Sequence, residues 1–129
     1  MLKRLGIASL FCLLAAPAFA ETTQIVVQWT TDIDLMSVQS MLDDRAVQMG
    51  YESDGNDVGS GLVNFYLYAP DATVDGVVRH LIWMEARHML PQHMRIGVAV
   101  YRDAARQDWT YRAAYPAGLT SFDITPRKN

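Results

Sequence analysis

The stretch Glu52–Ala69, ESDGNDVGSGLVNFYLYA, constrains the fold of this chain more than any other. Its second half, Leu62–Ala69, alternates strictly. Val63, Phe65, Leu67 and Ala69 fall on one face, and Asn64, Tyr66 and Tyr68 on the other. Period-two alternation of β-branched and aromatic residues is the signature of a strand with one face in a core. Gly59-Ser60-Gly61 just before it supplies residues that tolerate the positive φ of a tight hairpin. The expected turn therefore lies there, with Tyr51–Val58 as the partner strand, although Asp54-Gly55-Asn56-Asp57 is poor strand material. A turn at Gly55-Asn56 with a bulge near Gly59 is the alternative register.

Around this hairpin the chain alternates between two periodicities. Gln24–Thr30 reads as a strand with Ile25, Val27 and Trp29 on one face. Asp32 is placed to cap a helix over Ile33–Met49, with Asp34 in its first turn. Leu35, Val38, Leu42, Ala46 and Met49 form its apolar stripe, and Gly50 stands at the C′ position. After Pro70, Asp71 or Thr73 caps a second helix, which runs to about Leu90 before Pro91. Arg95–Arg102 is a strand with Ile96, Val98 and Val100 on one side and Gly97, Ala99 and Tyr101 on the other. Asp103–Asp108 is turn-like, and Trp109–Tyr115 is a last strand. The order β-α-β-β-α-β plus one strand predicts an α+β ferredoxin-like fold with two helices on one face of an antiparallel sheet. The other face, with Tyr66, Tyr68 and Tyr101, is left without a helix. Either a second copy or partner covers it, or Trp109–Tyr115, with Leu119 and Phe122 beyond it, folds over it within one monomer.

The run Asp54-Gly55-Asn56-Asp57-Val58-Gly59-Ser60-Gly61, followed by Asn64-Phe65, resembles a hairpin motif of small bacterial ferredoxin-like proteins. The resemblance covers roughly Gln24–Arg102. It implies the fold and, having no assigned activity attached, implies no mechanism.

The N-terminus reads as a secretory signal peptide. Lys3 and Arg4 precede an apolar run over Leu5–Ala16, and Pro17-Ala18-Phe19-Ala20 offers small residues for cleavage after Ala20. The run falls short of the ~20 residues that span a bilayer, and bulky Phe11 before Cys12 argues against a lipid anchor. The expected organisation is a signal peptide over 1–20, one domain over 21–124 and a tail over 125–129, with periplasmic or secreted localisation. Cys12 is the sole cysteine, so the mature chain has no disulfide, thiolate nucleophile or cysteine-bound metal. It carries nine basic against fourteen acidic residues, net −5, with no basic cluster. That argues against nucleic acid or an anionic membrane as partner.

Chemistry-bearing patterns are sparse. Asp54, Asn56 and Asp57 lack the ligand ladder and bidentate Glu of a calcium loop, so turn chemistry or partner recognition explains them better. Ser60 between two glycines is not a nucleophile elbow. Glu85 and His88 sit three apart inside the apolar stripe of the second helix, with His93 beyond it. Such a set suits acid–base or ligand chemistry, or else the stripe simply runs off the sheet. Met84, Met89 and Met94 with His80, His88 and His93 raise copper, though core packing accounts for the methionines. The expectation is an exported, non-enzymatic binding protein of partner, inhibitor or immunity type, with no cofactor or metal. Its contact residues would be Asp54, Asn56, Asp57, Ser60, Asn64, Tyr66, Tyr68 and Tyr101, and its partner another protein or a second copy. The alternative is a small-ligand protein or enzyme on a dimeric α+β barrel using Glu85, His88 and His93.

Overall fold

The computed structural model describes residues 21–125. The predicted leader, and all of the predicted tail beyond Thr125, lie outside the described residues. Five strands, β1 (Thr22–Thr30), β2 (Glu52–Gly59), β3 (Leu62–Pro70), β4 (Arg95–Tyr101) and β5 (Trp109–Tyr115), form one antiparallel sheet in the order β2-β3-β1-β4-β5. Two helices, α1 (Leu35–Met49) and α2 (Val74–Ala86), lie between β1 and β2 and between β3 and β4. The order is consistent with a ferredoxin-like arrangement carrying an extra strand. No helix among the described residues is long and apolar enough to cross a membrane.

The core sits between the sheet and the helices. Ile25, Val27, Trp29, Val63, Phe65, Leu67, Ile96 and Val98 meet Val38, Leu42, Val77, Leu81 and Met84 in one buried cluster. Each large apolar side chain so buried contributes about 1.5–3 kcal/mol. Trp29 meets Phe65 edge to face at 5.7 Å and donates its indole N–H to the Pro91 carbonyl. Met84 and Met94 are fully buried in this cluster, which separates them from the copper pattern.

Two helix boundaries differ from expectation. Asp34, not Asp32, caps α1, because its carboxylate accepts from both the backbone N–H and the hydroxyl of Ser37. Those bonds hold the Asp34 carboxyl below its usual value. Helix α2 stops at Ala86 rather than near Leu90. His88 takes a left-handed φ of 59°, and Met89 N–H turns back to the Met84 carbonyl. The acidic stretch is the expected partner strand, with the turn after it as in the preferred register. Glu52–Gly59 pairs with β3 on both sides of a bulge between Ser53 and Asn56, which, with Gly55 at φ +79°, absorbs its irregular composition. Only Ser60 and Gly61, at φ 55° and 80°, make the turn. Finally, Trp109–Tyr115 does not fold over the sheet; it extends it beside β4.

Candidate functional site

Alternation of side chains builds the sheet's outer face, away from the helices. β3 presents Asn64, Tyr66 and Tyr68, opposite Gln28, Val26 and Gln24 of β1. Across β4, Gly97, Ala99 and Tyr101 stand opposite Ala113, Tyr111 and Trp109 of β5. The face is thus polar and aromatic together, as tyrosine-rich contact surfaces are.

Its side chains are tied into two groups. The first joins the acidic strand to the tyrosines: Asp57 accepts from Tyr66 Oη at 2.7 Å and from Asn64 Nδ2 at 3.0 Å, and Asn64 Oδ1 accepts from Gln28 Nε2 at 2.9 Å. Burial, and then the bond to Asp57, push the Tyr66 phenol well above its ordinary value. The second centres on Gln24, whose Nε2 donates to Tyr68 Oη at 2.9 Å and whose Oε1 accepts from Tyr111. The β1–β4 ladder ends at Ile25–Val98, and the Gln24 backbone N–H goes instead to Tyr101 Oη at 3.0 Å. A phenol thus replaces the missing strand partner.

Beside the second group opens a cleft of ≈ 290 Å³ bordered by Tyr68, Tyr101, Trp109 and Arg106. Arg106 stacks on the Tyr101 ring at 4.5 Å and pairs with Asp71 at 2.7 Å and Glu21 at 2.8 Å. It also donates to the Thr22 carbonyl, which fastens the start of β1. The guanidinium, with Thr23 Oγ1, holds the Asp71 carboxyl below its usual range.

The rest of this face is not open. Phe122, 5 % exposed, lies over Gly97, and its ring meets Tyr111 edge-on at 5.7 Å. Gln28 Nε2 then bonds the Asp123 carbonyl and Asn64 Nδ2 the Ile124 carbonyl, both at 2.9 Å. Of the two ways to cover the face, the C-terminal segment accounts for the part over Gly97, Gln28 and Asn64, leaving Tyr66, Tyr68 and Tyr101 half-buried and Trp109 exposed.

The predicted contact residues are therefore divided. Asp57, Asn64 and Tyr66 are bonded together; Tyr68 and Tyr101 meet through Gln24. Asn56 points to the helix side, where Gln39 accepts its Nδ2 at 2.9 Å. Asp54 is exposed in the bulge, and Ser60 sits in the turn.

Glu85, His88 and His93 are not gathered into one constellation. Glu85 is buried, and its carboxylate accepts Met94 N–H at 2.9 Å and the Tyr115 hydroxyl. His88 and His93 are exposed and both left-handed. His88 Nδ1 lies 3.3 Å from Gln92 Nε2, at a cleft of ≈ 370 Å³ shared with Met41 and Met89. Among the described residues no group of three or more His, Cys, Asp or Glu is placed to hold a metal.

Sequence reasoning missed Gln24, Gln28, Arg106, Trp109 and Tyr111. Trp109 and Tyr111 could have been found by carrying the period-two pattern through Trp109–Tyr115; Arg106 leaves no local signal. No family model, curated protein or solved structure matches the chain.

Proposed function

We propose that the chain is an exported, non-enzymatic binding protein that contacts a protein partner through the outer sheet face. The contact runs from the acidic β2 edge to the tyrosine and tryptophan cleft. One observation carries this reading: Asp57 bonds both Tyr66 and the buried Asn64, so the acidic strand and the half-buried Tyr66 are held in one pre-ordered arrangement beside the C-terminal segment. Side chains locked by hydrogen bonds lose little entropy on binding, and half-exposed tyrosines give area and hydrogen bonding together. The ferredoxin-like kinship suggested by the hairpin motif fits such a role without assigning an activity.

The test is site-directed photo-crosslinking in the native cell envelope. A crosslinking residue at Tyr68 or Asp54 should yield a discrete adduct, and one at Val47, 92 % exposed on α1, should not. Adducts at Val47 alone would reject this surface.

A second reading, small-ligand binding, draws on the ≈ 370 Å³ cleft at His88. A ligand that raises the melting temperature of the parent chain but not of His88→Ala would favour it.

A further inference from the structure

β5 closes one end of the sheet and reads WTYRAAY, with no acid and no proline. Trp109, Thr110 and Arg112 along it are exposed, as is Asp108 just before it. The C-terminal segment leads away from this edge. Phe122 lies over Gly97 of β4, and the Asp123 and Ile124 carbonyls are bonded from β1 and β3.

The β4–β5 ladder fixes which backbone groups of β5 are left over. Arg102 N–H bonds the Asp108 carbonyl at 2.9 Å. Hydrogen-bonded and non-hydrogen-bonded pairs alternate along an antiparallel ladder. Asp108, Thr110 and Arg112 therefore turn their N–H and C=O groups toward β4, and Trp109 and Tyr111 turn theirs outward. We propose that a second copy of this chain completes the edge, β5 against β5, about a two-fold axis through Thr110. Antiparallel pairing about that axis sets Trp109 opposite Tyr111 of the second copy, and the two exchange their outward backbone bonds. Thr110 meets its own counterpart. Asp108 stands directly opposite Arg112 of the second copy, once on each side of the axis. Aromatic, threonine–threonine and opposite-charge pairs each stabilise adjacent strands. Within its own chain Arg112 makes a long, exposed contact to Asp75 at 3.7 Å, which is of little worth in solvent. The occupant is a second copy because this one strand supplies both members of every pair. β2, whose charges are all acidic, has no such match. The inference does not rest on the proposed partner contact, although Trp109 borders both.

Charge exchange tests it. Asp108→Arg and Arg112→Asp, each in the full-length chain, put like charges opposite one another on both sides of the axis. Sedimentation equilibrium should show each self-associating at least about tenfold more weakly than the parent. Mixed in equal amounts, the two variants carry matched charges, and native mass spectrometry should show a one-to-one heterodimer. Both positions are exposed, so the fold survives the changes. Folded variants that associate as the parent does, or that stay apart on mixing, overturn the proposal. So does a parent chain that is monomeric up to about 1 mM, the weak end of measurable association. A cysteine on the axis gives a second readout. In a Cys12→Ser background, Thr110→Cys should form a disulfide dimer under mild oxidation, because opposed residues of a non-hydrogen-bonded pair come within disulfide reach. Val47→Cys, at a 92 % exposed position on α1, should not. Equal yields from the two overturn the pairing. A photo-crosslinker at Thr110 that captures only foreign protein gives the edge to another strand, and also overturns it. The crosslinking test at Tyr68 and Asp54 is decided separately.

Discussion

Tyr115 donates its hydroxyl proton to Glu85, joining the last turn of α2 to the end of β5. The same carboxylate accepts Met94 N–H, so one side chain secures two later segments of the chain. Glu85→Ala strands a buried N–H and removes the acceptor of a phenol. It should cost about 2–4 kcal/mol, against about 1 for Tyr115→Phe, which leaves the Met94 bond intact. Urea denaturation read as a midpoint shift at constant slope checks the ranking.

The His80 ring stacks on Trp83 at 5.4 Å, and its Nε2 is buried without a partner. Burial and the nearby charge of Arg45 lower its pKa below 6.5. A base with a depressed folded-state pKa binds fewer protons folded than unfolded. Its contribution is therefore complete above 6.5 and declines as pH falls from there toward the folded pKa. Melting temperature should drop between pH 7.5 and 5, and His80→Phe should flatten that part of the profile.

Arg106 draws Glu21, Thr22 and Asp71 together. Arg106→Gln should raise the Asp71 pKa back toward the ordinary carboxylate range and speed amide exchange at the start of β1. The stability loss should be small, about 1 kcal/mol, because the pair is largely exposed and screened. Carboxyl NMR titration measures the first effect. An unmoved Asp71 would mean that Thr23 alone sets it.

Ser60 holds a left-handed φ of 55° followed by Gly61 at 80°. That is the geometry in which Asn-Gly is preferred. Ser60→Asn should stabilise by about 0.5–1 kcal/mol, and Gly61→Ala should destabilise by about 1–2. Thermal unfolding of both variants tests whether this hairpin turn limits stability.

Three strands were legible because burial wrote itself into them. Ile25, Val27 and Trp29, like Val63, Phe65 and Leu67, face a core, and a core demands period two. β2 was blurred for the opposite reason: almost all of it is exposed, so nothing selected an apolar alternation. Gly50 announced the end of α1, whereas α2 ends at a left-handed His88, a residue with no strong positional signal. Glu85 looked anomalous in an apolar stripe because its partners, Met94 and Tyr115, lie 9 and 30 residues away. The acidic stretch and the tyrosines were recognised separately; that Asp57 bonds Tyr66 depends on the β2–β3 register.

The bulge in β2 also bears on how these molecules behave when crowded. β2 is one of the two outer strands of the sheet, and such strands invite a neighbour to continue the ladder. Glu52, Asp54 and Asp57 set three negative charges along it, and the kink at Gly55 breaks its straight run of donors and acceptors. An end-to-end stack of sheets needs two adhesive edges per molecule. Charge and kink together oppose pairing at β2, and so disfavour the two-edged growth on which a fibre depends.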